Sequence, residues 1–263
     1  MKRLLFLCFI LAGVSPWASA QETPISPEFR LNLFQLAGWV SGLPAPLRTN
    51  ILAHAQEFLN DYKPLLSAPW YQLVLVDRQH QLPSDYAPND LFDLRREGFD
   101  TSRPHEKMRR VILNDLRAMN RAARRDRVRL LFSSCYRSWI YQRDLFQHYV
   151  NQDGLAVAEQ YSARPGQSQH QLGTAADFGS ITPEFADTRE GRWMVAHAED
   201  FGFSLSYPKG EERVTGYVWE PWHYRYIGVP ACRVQKKWFG DVQQYLLEFN
   251  NAHAGELKKS MAH

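Results

Sequence analysis

Two short stretches of this 263-residue chain carry side chains that could hold a metal ion and hydrolyse a bond. The first, SQHQLGTAAD from Ser168 to Asp177, contains His170, and the second is EPWH from Glu220 to His223. Two histidines and one carboxylate are typical of a catalytic zinc, which keeps a fourth position for water. We therefore predict one zinc per chain, bound by His170, Asp177 and His223, with Glu220 as the general base.

The reaction that such a set could catalyse is hydrolysis by an activated water. A catalytic zinc lowers the pKa of its bound water to about 7 and polarises a carbonyl group. Glu220 could take a proton from the water and return it to a leaving amine. Each histidine or aspartate alone could equally be a hydrogen-bonded interior residue. The hypothesis therefore depends on the two stretches meeting in the fold.

The first residues indicate export. A basic pair at 2–3 precedes an apolar run over 4–14, and residues 18–20 are the small residues that signal peptidase prefers. We expect residues 1–20 to be a cleaved signal, with the periplasm as the preferred location and secretion as the alternative. No later apolar run reaches the roughly 18 residues that a membrane-spanning helix needs, so no membrane span is expected.

Charge and cysteine content narrow the setting further. The formal net charge of +3 falls to +1 when Lys2 and Arg3 are removed, because the signal contains no acidic residue. This near balance gives no reason to expect nucleic acid as a partner. Cys135 and Cys232 remain in the exported chain. They could pair in an oxidising compartment, or they could be two buried free thiols.

Hydrophobic periodicity predicts helices before, between and after the two stretches. The predicted helices cover 46–62, 108–123, 138–149, 187–202 and 234–249. The fourth opens with Asp187 and Glu190, which resemble a capping box, and it ends near Gly202.

Strand-forming residues predict a small sheet. The predicted strands cover 70–76, 128–134, 174–179 and two segments of 214–227 that are interrupted at Pro221. In an unbroken strand, residues three apart point to opposite faces, so Glu220 and His223 could share a site only if Pro221 marks a bend. Strands and helices do not alternate regularly, and the last strands can pair as antiparallel neighbours. We therefore predict an α+β fold with a small antiparallel sheet flanked by helices.

Several motifs resemble the M15 zinc peptidases. The pattern S-x-H-x-x-G-x-A-x-D is filled by Ser168, His170, Gly173, Ala175 and Asp177, and E-P-W-H is filled by Glu220 to His223. LPSDYAPNDL and CYRSWIYQ also stand in the order of the VanY-type D-alanyl-D-alanine carboxypeptidase branch, M15B. The likeness covers residues 71–228.

The resemblance implies a cell-wall peptidase with the fold that these enzymes share with the Hedgehog signalling domain. It places zinc ligands on His170, Asp177 and His223, the catalytic glutamate on Glu220 and an active-site arginine on Arg137. The guanidinium of Arg137 could stabilise an oxyanion or grip a carboxylate, and contact with the reacting carbonyl is the role we favour.

A carboxypeptidase of this kind must recognise a free carboxyl terminus and a small D-residue. Gln142 and Ser168 match substrate-side positions of the family. We also expect Tyr207 near the substrate and Trp222 as an apolar wall. Aromatic residues in strands are commonly packing residues, and this is the alternative for both.

The expected organisation is a signal at 1–20, an N-terminal helical extension at 21–66, a zinc peptidase domain at 67–229, and a C-terminal helix and tail at 230–263. The expected reaction removes the terminal D-alanine from peptidoglycan stem peptides, and a monomer is expected. One rival is an L,D-carboxypeptidase or endopeptidase with the same zinc site. Another is a non-catalytic zinc-binding wall-recognition module, against which the intact Glu220 argues.

Overall fold

The computed structural model describes residues 23–261, so the predicted signal at 1–20 lies outside the described residues. The strands are β1 (Pro24–Ser26), β2 (Phe29–Asn32), β3 (Leu91–Asp93), β4 (Asp100–Thr101), β5 (Lys107–Arg109), β6 (Leu131–Ser134), β7 (Ala175–Phe178), β8 (Phe203–Leu205) and β9 (His223–Tyr226). Short 3-10 helices cover Lys63–Ser67, Arg95–Glu97, Arg110–Ile112, Gln169–Leu172, Pro183–Asp187 and Ala198–Phe201.

The α-helices are α1 (Leu33–Trp39), α2 (Ala45–Ala53), α3 (Ala55–Tyr62), α4 (Trp70–Leu73), α5 (Leu113–Arg125), α6 (Trp139–Asp153), α7 (Leu155–Tyr161), α8 (Arg189–His197), α9 (Glu212–Thr215), α10 (Val229–Trp238) and α11 (Gln243–Ser260). Within residues 23–261, no helix combines the length and apolar character needed to cross a membrane.

A five-stranded sheet lies at the centre, with the strand order β4–β6–β7–β9–β8. β4 and β6 are parallel, and the other three pairs are antiparallel. All four residues of β7 are buried, as expected for a central strand covered on both faces. The predicted α+β fold with a small sheet and flanking helices is confirmed, with the difference that one edge pair is parallel.

Two large apolar clusters hold the helices in place. One surrounds the sheet and includes Phe132 and Phe178. The other joins α2 and α3 to α10 and α11, where Phe58 meets Trp238 and Phe249 edge to face, with ring centroids 5.6 and 5.5 Å apart. The segments before and after the sheet region therefore share one core.

Cys135 and Cys232 are both buried free thiols. Cys135 packs in the cluster around the sheet, and Cys232 packs in the cluster of outer helices. Burial raises the pKa of both thiols. Of the two alternatives that the sequence left open, the structure contains the free thiols.

Two predicted helices are each divided by a break. The helix over 46–62 is interrupted at His54, whose backbone (φ −126°, ψ 37°) separates α2 from α3. The helix over 234–249 is divided into α10 and α11 by a turn in which Gly240 and Asp241 adopt left-handed φ values of 63° and 64°. Periodicity missed both breaks because the apolar residues on either side of each break face the same cluster.

Two other predicted helices have different starts. The helix over 108–123 begins only at Leu113, because Met108 lies in β5. Thr188, and not Asp187, caps α8, since its Oγ1 accepts the N–H of Gly191 at 2.9 Å. The predicted capping-box role of Glu190 is therefore wrong.

The strand predicted over 70–76 is wrong, because α4 occupies its first half. The backbone carbonyls of Tyr71, Gln72 and Val74 instead accept hydrogen bonds from Nη2 of Arg225, at 3.3, 3.1 and 2.8 Å. Arg225 is fully buried. The guanidinium of Arg225 thus supplies the hydrogen bonds that these backbone carbonyls would otherwise need from a neighbouring strand.

The strand predicted over 214–220 is also wrong. Helix α9 occupies its start, and Gly216 ends that helix with a left-handed φ of 79°. The strands predicted over 128–134 and 174–179 are confirmed by β6 and β7, and the helix predicted over 138–149 is confirmed by α6.

Glu190 fastens α8 to the sheet. Its carboxylate accepts the N–H of Leu131, at the start of β6, at 2.7 Å. Burial raises the pKa of Glu190 to about 7, although the hydrogen bond from Leu131 and the charge of Arg129 act in the opposite direction.

We predict that Glu190→Gln reduces the pH dependence of stability. The pKa of Glu190 in the folded protein, about 7, exceeds that of an unfolded glutamate, about 4.3. The folded state therefore binds the extra proton between these values, and stability falls as the pH rises through that window. Glutamine keeps an acceptor oxygen without the charge, so the difference in Tm between about pH 5 and about pH 8 should shrink. An unchanged difference, as expected for the exposed control Glu256→Gln, would contradict this role.

Candidate active site

Three neighbouring strands align Ser134, Asp177 and His223 in one row. Ser134 is the partner of Asp177 across β6 and β7, and Asp177 is the partner of His223 across β7 and β9. Directly opposed residues present their side chains on the same face of a sheet. The strand register therefore brings Asp177 and His223 together although they are far apart in the chain.

His170 is delivered by the 3-10 helix Gln169–Leu172, directly before β7. The hydroxyl of Ser168 caps this turn by accepting the N–H of His170 at 3.3 Å. Gly173 ends the turn with a φ of 71°, and a Cβ there would lie 3.0 Å from the side chain of Leu91. The glycine of the motif thus serves both the left-handed backbone and a close approach.

Glu220 and His223 stand at the two ends of a reverse turn. The N–H of His223 donates to the carbonyl of Glu220 at 3.1 Å, and Pro221 occupies the second position, where proline is favoured. Oε2 of Glu220 lies 3.5 Å from Nδ1 of His223. The bend predicted at Pro221 is confirmed, and it lets both side chains face one site.

The three predicted metal ligands meet at a buried centre. Ligand atoms of His170, Asp177 and His223 lie within 4.8 Å of one another. Nε2 of His170 is 3.3 Å from Oδ2 of Asp177, and Nδ1 of His223 is 3.1 Å from its Oδ1. That Oδ1 is buried and has no aligned hydrogen-bond donor despite its neighbour. Carboxylate oxygens facing two imidazole nitrogens fit the donor preferences of zinc.

The ring of His170 is held in the orientation that a metal ligand requires. Its Nδ1 lies 2.7 Å from the carbonyl of Cys135, to which it donates, so Nε2 keeps a lone pair towards Asp177. Burial, reinforced by the charge of Arg137, lowers the pKa of His170 to about 4. The imidazole is therefore neutral near neutral pH and free to bind a cation.

Arg137 neutralises part of the charge of Asp177. Its Nη2 donates to Oδ2 of Asp177 at 2.6 Å, and its Nε donates to the hydroxyl of Ser134 at 2.9 Å. Burial by itself raises the pKa of Asp177, but its contacts with His170 and Arg137 outweigh burial and hold this pKa well below its usual range. The carboxylate is thus ionised.

Glu220 has the opposite electrostatic environment. Its side chain is almost fully buried, and its backbone N–H is fixed on the carbonyl of Tyr207 at 3.1 Å. Burial, followed by the negative charge of Asp177, raises the pKa of Glu220 well above its usual range. Two carboxyl groups with pKa values moved in opposite directions suit two roles, one as a ligand and one as a proton carrier.

A cavity of about 330 Å³ joins the metal centre to the predicted substrate residues. Gln142, Ser168, Tyr207 and Trp222 all line it, together with Arg137. The structure therefore brings these four residues to the site, while their contacts with a substrate stay predictions. Gln142 is 1% exposed and donates to the carbonyl of Ala163 at 2.8 Å, and its Oε1 is a buried acceptor without a donor.

Sequence reasoning missed a buried polar network behind His223. Nε2 of His223 lies 3.3 Å from Oε1 of Gln169, and the same oxygen accepts the hydroxyl of Ser206 at 2.7 Å. Nε2 of Gln169 donates to Gln243 of α11 at 3.4 Å. Gln169 adjoins His170 in the motif, but only the fold reveals that it supports the other histidine.

Comparison with known proteins identifies similar chains. A family model described as VanY, D-alanyl-D-alanine carboxypeptidase, matches residues 105–229. YodJ of Bacillus subtilis, described as a carboxypeptidase, is 33% identical over 190 residues, which are 68% of this chain and 70% of YodJ.

Solved structures give the same likeness. The L,D-carboxypeptidase LdcB aligns with a TM-score of 0.62 and 31% identity over 67% of this chain and 86% of the LdcB chain. A mutant of the vancomycin-resistance D,D-pentapeptidase VanY, in complex with Zn(II), aligns with a TM-score of 0.56 and 30% identity over 67% of this chain and 99% of that chain.

We predict that Gln169→Met weakens zinc binding by about tenfold, because the groups that hydrogen-bond to metal-ligating histidines contribute on that scale. Methionine fills similar space but cannot accept from His223. Gln169→Glu retains an oxygen acceptor and should therefore keep most of the zinc affinity that Gln169→Met loses. Competition with a chromophoric chelator measures the zinc affinity of each variant. The matched control Gln244→Met changes a buried glutamine bonded to Asp77 and Glu248. Equal affinities for Gln169→Met and this control would exclude the role.

Proposed function

Since the chain belongs to the VanY-type family of D-alanyl-D-alanine carboxypeptidases, as its motifs predicted, we propose that it is a zinc-dependent enzyme that removes the terminal D-alanine from peptidoglycan stem peptides. Family membership makes it a hydrolase that acts on peptide bonds. The observation that carries the proposal is the buried group of His170, Asp177 and His223 beside a carboxyl group, Glu220, whose pKa is raised.

Zinc is the metal that we propose for the three ligands. The donor set of two imidazoles and one carboxylate fits zinc, and the VanY structure described above is a complex with Zn(II). When bound, zinc would supply Lewis acidity towards the scissile carbonyl and towards water. Three protein ligands leave room for these groups, which is typical of a catalytic and not a structural site.

Glu220 is the group that we assign to proton transfer. A carboxylate beside the metal ligands can accept a proton from the attacking water, and its raised pKa allows it to hold that proton. It can then donate the proton to the leaving amine. Burial in the cavity keeps bulk water from exchanging that proton.

Arg137 is the group that we assign to the developing negative charge. Asp177 and Ser134 already hold its Nη2 and Nε, so Nη1 is the nitrogen that can turn towards a substrate oxygen. A guanidinium fixed in this way is preorganised to stabilise an oxyanion. Ser168 and Gln142, on the same cavity, offer a hydroxyl and an amide for the carboxyl-terminal residue.

L,D-carboxypeptidase activity is a second candidate function, because an L,D-carboxypeptidase is among the solved structures that this chain resembles. The L,D-carboxypeptidase LdcB aligns with a TM-score of 0.62, and the D,D-pentapeptidase VanY aligns with a TM-score of 0.56. Both activities use the same chemistry on stems that differ by one D-alanine. We place D,D-activity first because the family model is described as a D-alanyl-D-alanine carboxypeptidase, and because LPSDYAPNDL and CYRSWIYQ stand in the order of the VanY-type branch.

The proposed location is outside the cytoplasm, where peptidoglycan lies. The basic and apolar pattern of residues 1–20 supports export, with the periplasm preferred and secretion as the alternative. Processing at residue 20 is measurable by determining the amino terminus of the protein recovered from a periplasmic extract.

We predict that Glu220→Gln lowers kcat by about a hundredfold or more, since general acid–base catalysis contributes on that scale. Zinc content should stay near one per chain, because the three ligands are intact. Steady-state kinetics and metal analysis of the same preparation test both statements. Glu256→Gln, at an exposed site on α11, is the matched control. Activity of Glu220→Gln equal to that of this control would refute the assignment.

Digestion of defined muropeptides separates the candidate reactions. We expect the loss of one D-alanine from a pentapeptide, with no cleavage of tetrapeptide or cross-linked stems, read by mass spectrometry. Dialysis against a chelator should abolish the activity, and added zinc should restore it. Cleavage of the tetrapeptide alone would replace the proposal with L,D-activity. Binding without turnover of any stem would replace it with a wall-recognition module.

A further inference from the structure

A second cavity, of about 370 Å³, adjoins the active site and shares Arg137 with it. Its lining includes Arg103, His105, Glu106, Lys107 and Tyr141. Two arginines and one lysine, Arg103, Arg137 and Lys107, thus line this cavity together with one carboxylate, that of Glu106. The cavity has an excess of positive charge beside the reacting groups.

Most charges of this cavity already have partners. Arg103 is paired with Glu106 at 3.2 Å, and Glu106 also accepts the N–H of Cys135 at 2.7 Å. His105 lies 3.3 Å from Asp93. Arg137 is bound to Asp177, as described above. These contacts hold the side chains of the cavity wall in place. They also compensate most of the positive charge that could otherwise attract an anionic ligand.

Lys107 is the exception. Among residues 23–261, Lys107 forms no salt bridge with an aspartate or glutamate at 4.0 Å or less. Its backbone belongs to β5, and its carbonyl accepts the N–H of Tyr136 at 2.9 Å. Tyr136 immediately precedes Arg137 in the chain. The backbone of Lys107 is therefore hydrogen-bonded to the residue next to Arg137, which fixes the position of Lys107 relative to the active site.

The substrate of the proposed function must extend beyond the first cavity. A volume of about 330 Å³ accommodates the groups at the scissile bond but not a whole stem peptide. The remaining residues of the stem must lie along an adjoining surface. A γ-linked glutamate at the second position of a stem would present its free α-carboxylate there, and a diamino diacid at the third position would present its second carboxylate.

We infer that Lys107 and the cavity beside Arg137 form a subsite for a carboxylate on the acyl side of the stem peptide, so that the enzyme prefers stems whose carboxyl groups are free over amidated stems. This inference rests on the proposed function and names the substrate class within it. Lys107 is the cation without a carboxylate partner in this cavity, so the ligand is expected to be anionic. Both cavities share Arg137, so a ligand that reaches Lys107 from the scissile bond must be extended.

The test compares three pentapeptides that differ only in amidation. One has free carboxyl groups, one is amidated at the second residue, and one is amidated at the side chain of the third. We expect kcat/KM of the unmodified protein to be about three- to fivefold higher for the free peptide, the size of a partly exposed charge contact. The amidation that removes the preference identifies the carboxylate. Added salt should reduce the preference, because exposed charges are screened.

Lys107→Gln should bring kcat/KM for the free peptide down to the value for the amidated one, and Lys258→Gln, on α11, is the matched control. An equal kcat/KM for all three peptides in the unmodified protein would overturn the inference, as would a loss in Lys107→Gln that is the same for every peptide. Either result leaves the proposed function standing, because the peptides are still hydrolysed. Hydrolysis of none of them would reject the proposed function itself.

Discussion

The site depends on one buried carboxylate. Asp177 lies on the central strand of the sheet, and its two oxygens face His170 and His223 while Arg137 donates to one of them. An isolated carboxylate at this depth would be expensive to ionise. The cation at Arg137 offsets part of that cost, and a metal ion would add a second positive charge. The sheet, the turns and the surrounding network all serve to hold these groups around Asp177.

The chemistry of the site was easier to predict than its surroundings. The motifs around His170 and Glu220 fixed residue types at set spacing, and the bend at Pro221 followed from the geometry of a strand. The supporting residues could not be predicted in this way. Gln169 is an ordinary polar residue in the sequence, and only the pairing of distant strands places it against His223.

The fold itself was predictable where periodicity and burial agree. β6, β7 and α6 follow their hydrophobic patterns. The errors occurred where a tertiary contact replaced a local preference. Segment 70–76 has strand-forming residues, but the buried guanidinium of Arg225 satisfies its carbonyls. Breaks at His54 and Gly240 left the apolar pattern unchanged, so periodicity had no means of detecting them.

The contact between Gln169 and Gln243 has a consequence for how the enzyme is assembled. These two side chains are 74 residues apart in the chain, and α11, which Gln243 opens, packs against the helices near the amino-terminal end of the described region. Contacts between residues far apart in the chain slow the folding of a domain, because a loop must close before they can form. The orientation of His223 is thus linked, through Gln169, to the packing of α11 against the rest of the domain. A change in the packing of the outer helices can therefore reach a metal ligand through one chain of buried side chains, from Gln243 through Gln169 to His223.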